Sequence, residues 1–175
     1  MYPETRLSRV VDGWIIHIGK AVSWIWLILL GVIMLNVVMR YLFSEGSIEL
    51  EELQWHLYSV GFLIGMSYAY QADAHVRVDV LHERLRPRLK AWIELYGTLL
   101  LLIPFILLIV IHGIPFVTSS FAVNEVSSSP GGLPNRWLIK AALPFGFGLL
   151  ALAVLARLSR VWSFLFLQED TDAAQ

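Results

Sequence analysis

The sequence predicts an all-α integral membrane protein with four transmembrane helices and both termini in the cytoplasm. Three observations carry this. Of the 175 residues, 57% are hydrophobic and only 15% charged, where a soluble domain has about a quarter of its residues charged. Four runs without acidic or basic side chains approach the roughly 20 apolar residues that cross a bilayer. Lysine and arginine gather at alternate ends of those runs.

The first run is Ala21 to Met39. The polar lead from Met1 to Lys20 is too long for a cleavable signal, and no small-residue cleavage site follows the apolar stretch, so this helix is expected to stay in the mature protein. Its one polar interior residue is Asn36, near the outer end. The second run is Leu53 to Ala72, opened by Glu49, Glu51 and Glu52, whose carboxylates favour the positive end of a helix. The third, Leu95 to Asn124, is longer than a bilayer needs. With Pro104 inside and Gly113 and Pro115 late, it can tilt, kink or stop early. The fourth, Ala141 to Ala156, spans if it starts at Trp137 and continues toward Leu167, with Arg157 and Arg160 snorkelling to the headgroups.

Arg6, Arg9 and Lys20 precede the first run. Arg77, Arg84, Arg86, Arg88 and Lys90 separate the second and third, and Arg157 and Arg160 follow the fourth. Arg40, Arg136 and Lys140 are alone on the other side. Positively charged loops stay inside, which fixes the orientation and leaves two short outer loops. Residues 1–167 form one domain, and 168–175 read as a disordered acidic tail. There is no cysteine and the net charge is −1, so disulfides, thiolate metal sites and a nucleic-acid partner are not expected.

No Asp, Glu, Lys or Arg falls at the centre of any run. Ion-conducting and proton-coupled proteins keep such groups at membrane depth because function compensates their cost. Neither this pattern nor the absence of an internal repeat suits a self-sufficient pump. Helices in lipid associate through close backbone approach at small residues. Gly61, Gly65 and Ala69, and Ala142 with Gly146, are therefore candidate packing positions, first within the bundle and secondly between subunits.

Arg40 can pair across the first hairpin with a glutamate at the start of the second helix, Glu52 being the proposed partner, or remain part of a solvated rim. Glu52 and His56 are four apart and share a face. Between the second and third runs, His75, Arg77 and Asp79 alternate with valines. Val78, Leu81 and Leu85 then suggest a short interfacial helix ending before Pro87. The segment either anchors in headgroups or docks on a larger membrane protein.

Arg40-Tyr41, Glu51-Glu52-Leu53 and His75-Val76-Arg77-Val78-Asp79 together resemble the small membrane subunit, DctQ type, of the tripartite ATP-independent periplasmic (TRAP) transporters. Trp55-His56-Leu57-Tyr58, Ser129 to Pro134 and Trp137 to Lys140 are similar to its mannitol, chloroaromatic and keto-acid branch. The resemblance implies a bacterial inner-membrane subunit of a sodium-coupled uptake system for organic acids, without catalysis or cofactor. Its partners would be a large multispan subunit and a periplasmic solute-binding protein. Arg40, Tyr41, Glu51, Glu52, Trp55, His56, His75, Arg77 and Asp79 are the expected assembly contacts. Two other readings are a haem-binding electron-transfer anchor using His56 and His112 at similar depth, and an assembly factor for another membrane complex.

Overall fold

The computed structural model describes residues 3–74 and 85–167, and among these every regular element is helical. The polar lead is itself a helix, which the sequence reading missed. Helix α1, Arg6–Ser23, starts from a capping box in which Thr5 Oγ1 accepts from the Ser8 amide and Ser8 Oγ accepts from the Thr5 amide, both at 3.1 Å. Ser8, Ile15 and Gly19 form its buried stripe, while Leu7, Val10 and Trp14 remain exposed. After a break at Trp24, α2 runs Ile25–Leu42.

Helix α3, Ile48–Gln71, is capped by Ser47, whose hydroxyl oxygen accepts from the Leu50 amide at 3.2 Å. Its end turns at Asp73, which has φ 57°. Asp is one of the few non-glycine residues that tolerates this conformation.

Helix α4, Pro87–Gly97, passes through a π-helical turn, Thr98–Leu102, into α5, Ile103–Ala122. In that turn the Ile103 amide donates to the Thr98 carbonyl, five residues back. The wider ladder sits immediately before Pro104, which has no amide to donate and whose ring would crowd a regular turn. The helix does not stop at Gly113 or Pro115 but continues to Ala122.

Helix α6, Trp137–Trp162, is extended by a π turn, Ser163–Leu167. It is the centre of the fold. Phe147, Leu150 and Val154 pack with Ile106 of α5 and with Leu63, Met66 and Tyr70 of α3. Nearer its end, Val161 and Leu165 pack with Ala91 and Leu95 of α4.

The contacts fix the directions. Leu63 and Ser67 meet Gly146, and Asp73 meets Arg157, so α3 runs parallel to α6. Gly113 lies against Pro144, and Glu94 meets Arg157, so α4–α5 runs antiparallel to it. Trp26 stacks edge-on against Tyr58, and Arg40 meets Glu51, which sets α2 antiparallel to α3.

Three helical stretches are long and apolar enough to cross a membrane: Arg6–Leu42, Pro87–Ala122 and Trp137–Leu167. The more polar α3 is not among them by that measure. Residues 75–84 and 168–175, and with them the expected interfacial helix and tail, lie outside the described residues.

Candidate functional site

The charged side chains that pair with one another gather at the two ends of the bundle. At the end that carries the α2–α3 turn and the α5–α6 loop, Arg40 pairs with Glu51, not with Glu52 as the sequence suggested. Glu52 is turned toward the loop between α5 and α6. One of its oxygens accepts from the Ser127 hydroxyl and the other from the Leu133 amide at 2.7 Å. These donors hold the Glu52 carboxyl, just ahead of the apolar run, below its ordinary range, with the Ser127 hydroxyl the larger cause.

The loop is compact in its own right. The Ser127 amide donates to the Leu133 carbonyl at 3.3 Å, the Gly132 amide to the Ser129 carbonyl at 3.0 Å, and the Arg136 amide to the Glu125 carbonyl at 3.0 Å. Gly131 supplies the positive φ of 76° that the turn requires. Glu125 closes the base of the loop by binding Lys140 and lying 3.7 Å from Arg136. The Lys140 hydrogen bond, reinforced by the charges of Lys140 and Arg136, lowers the Glu125 pKa. The Lys140 ammonium also sits 4.2 Å from the Phe116 ring centre, which ties α6 to the end of α5.

His56 shares the face of Glu52 as its spacing implied. Its Nδ1 lies 2.6 Å from the Glu52 carbonyl oxygen. With Glu52, Ser127, Leu133 and Arg136 it lines a cavity of about 240 Å³. His112 is elsewhere, exposed on α5 with Nδ1 2.8 Å from the Leu108 carbonyl, and it does not line that cavity. The bis-histidine haem reading therefore gains no support. Among the described residues no three histidines and carboxylates gather where they could hold a metal ion.

Tyr41 and Trp55 are exposed at the rim of the same end as Arg40, 79% and 70%. The small residues divide in their surroundings. A Cβ on Gly61 would lie 3.2 Å from the Trp26 ring, and one on Gly146 would lie 2.8 Å from Leu63 Cβ, whereas Gly65 faces open space. Ala69 and Ala142 are half-buried. The Ser67 hydroxyl donates to the Gly146 carbonyl at 3.2 Å, a bond that requires the close approach Gly146 permits. His75, Arg77 and Asp79 lie outside the described residues.

The opposite end of the bundle holds a cluster that sequence reasoning missed. Arg157 does not snorkel. It is buried, its Nε on Glu94 and its Nη1 2.7 Å from Asp73 Oδ1, with the guanidinium over the Tyr70 ring. Arg160 reaches Asp12 at 3.4 Å, and the Thr5 and Ser159 hydroxyls are 2.7 Å apart, which docks α1 onto α6. The signal was present: Asp73 is the acid that follows the second run and Glu94 the acid that precedes the third, the same level as Arg157 after the fourth.

The geometry defines a class: a helical membrane protein whose ionic groups join helix end to helix end and loop to helix. The chain belongs to the DctQ family, since the family model described as "Tripartite ATP-independent periplasmic transporters, DctQ component" matches residues 29–164. It is a small component of a TRAP transporter, a multi-pass inner-membrane protein and not an enzyme. No curated protein matches it closely enough to be set beside it.

Proposed function

We propose that this chain is the scaffold subunit of a sodium-coupled TRAP transporter for organic-acid-type solutes. It crosses the membrane four times with both termini inside, and it binds and steadies the large transport subunit. The periplasmic solute-binding protein then meets the outer loops, with Tyr41, Trp55 and the 125–136 segment at that surface. The resemblance of Trp55 to Tyr58, Ser129 to Pro134 and Trp137 to Lys140 to the mannitol, chloroaromatic and keto-acid branch supports the solute class.

One observation carries the reading. Arg40, Lys140, Arg157 and Arg160 are each fastened to a carboxylate near an end of the bundle, and no Asp, Glu, Lys or Arg falls at the centre of an apolar run. A subunit with that arrangement has the means to hold shape, and its charge pattern is not that of an ion-coupling pathway at membrane depth. Around its core, Leu27, Ile28, Leu30 and Met34 of α2 and Leu107, Leu108 and Ile111 of α5 are exposed, a broad apolar surface that widens the footprint in lipid.

The fourth crossing is supported by α3 running parallel to α6 from the outer loop, where Glu52 binds Ser127, to the inner end, where Asp73 binds Arg157. A helix that matches a crossing helix end for end traverses the same thickness. The lysine and arginine distribution supports the orientation.

The test is to tag the C-terminus, purify the chain from native membranes in mild detergent and identify its companions by mass spectrometry. A large multispan permease in near-equal amount is expected. Reconstituted with that permease and its binding protein, the complex should take up organic acids only with an inward sodium gradient. A redox enzyme as companion, or full uptake without this chain, overturns the proposal.

A further inference from the structure

Between the outer halves of α2 and α3 lies a second cavity, of about 420 Å³, lined by Asn36, Val37 and Arg40 from one helix and by Glu51, Gln54 and Trp55 from the other. The spacings i, i+1, i+4 and i, i+3, i+4 place each set on one helix face. The cavity is thus a groove along two adjacent helices, bridged at its outer end by the Arg40–Glu51 pair.

Asn36 is only 7% exposed, and its Oδ1 makes no hydrogen bond. The buried Nε2 of Gln54, across the groove, makes none either. One acceptor and one donor, both withdrawn from solvent and unpaired, therefore lie within the walls of the same groove. Polar atoms in hydrocarbon find partners in an adjoining helix where their own chain offers none.

We propose that a transmembrane helix of the large transport subunit lies in this groove. The Asn36 and Gln54 amides turn toward it, and a hydroxyl or carboxamide side chain on that helix donates to Asn36 Oδ1 and accepts from Gln54 Nε2. The inference rests on the reading that the chain binds a large subunit, and it assigns the face. Asn36 lies one helical turn inside Arg40, where a lipid presents ester carbonyls and acyl chains. An ester carbonyl accepts from Gln54 but offers nothing to Asn36. A single water, about 30 Å³ in the liquid, fills a small part of the space. A side chain that both donates and accepts, carried on a helix that covers Val37 and Trp55, satisfies the whole groove.

The experiment uses the co-expressed complex. Asn36→Leu with Gln54→Leu removes both amides, so the isolated chain should unfold at the same temperature as wild type or higher, having lost two unpaired polar atoms. Retention of the large subunit through detergent washing should fall several-fold. In the otherwise unchanged complex, a benzoylphenylalanine photo-crosslinker at Val37 should form its adduct with one helix of the large subunit.

Full retention by the double variant overturns the proposal. So does an adduct only with lipid, or with a second copy of this chain, and this arm does not depend on how the double variant folds. If the wild-type chain brings down no large subunit, the functional reading fails and this one with it. If it does, and the groove variant and crosslink are negative, the assignment of the face fails alone.

Discussion

The Arg157 guanidinium donates to Asp73 Oδ1 at 2.7 Å, joining the central helix α6 to the turn that ends α3. The same side chain binds Glu94 at the start of the long third helix. One cation thus holds three helices at one end of the bundle, and its side chain is 9% exposed where Glu94 is 18% and Asp73 50%.

Arg157→Leu takes the cation away from a largely buried Glu94. The expected loss of stability is about 3–5 kcal/mol, the usual consequence of removing one partner of a buried pair. Most of it should come from Glu94, because the half-exposed Asp73 is screened by solvent. Thermal unfolding in detergent measures it. Combining Glu94→Leu with Arg157→Leu should recover part of the loss, and no recovery would show that the packing of the guanidinium over Tyr70 matters more than its charge.

Gly146→Val should destabilise the protein by about 1–3 kcal/mol through overpacking, because the new Cβ meets Leu63 Cβ at 2.8 Å and its backbone at 3.1 Å. Gly65→Ala, facing open space, should change stability by less than about 0.5 kcal/mol. Equal effects at the two positions would mean that α3 and α6 do not approach through Gly146.

Glu52→Ala removes the acceptor of Ser127 and Leu133. The 125–136 loop should then be cut several-fold faster by protease in intact, outward-facing membranes. Arg40→Ala should leave cutting of the loop unchanged, since Arg40 is bound to Glu51. A loop loosened equally by both variants would restore the Arg40–Glu52 pairing that the sequence suggested.

Glu125 makes the same loop sensitive to acid. The Lys140 hydrogen bond and the neighbouring Arg136 charge lower its pKa below the usual 4.5. A carboxylate whose pKa falls on folding contributes stability that is present above the unfolded value and lost as pH drops through the folded one. Loop exchange or proteolysis should therefore stay flat from neutral pH to about 4.5 and rise below it. Glu125→Gln should show a raised rate at neutral pH and no further rise from this group, and an unchanged acid profile in that variant would place the sensitivity elsewhere.

Much of the molecule was legible in the residues themselves. Apolar runs and the absence of mid-membrane charge depend only on local composition, so the helical membrane class and the ends of the last helix, Trp137 and Leu167, follow directly. The helical nature of α1 was also local: Leu7, Val10, Val11, Trp14, Ile15 and Ile18 recur at helical spacing behind the Thr5 cap. It went unread because charged residues disguised the period.

Pairings are another matter. Whether Arg40 meets Glu51 or Glu52 depends on the rotation of α3, one residue of which turns a side chain by about 100°. That rotation is set by Leu63 and Ser67 seating on Gly146, contacts 79 to 83 positions apart in the chain. Arg157, by composition a headgroup anchor, becomes a buried hub only because two acids from distant segments arrive at its level. By itself the sequence determined that the chain is a helical membrane protein with charge at the ends of its apolar runs. The tertiary structure decided which charges meet, because that depends on the relative rotation and depth of helices that no local pattern encodes.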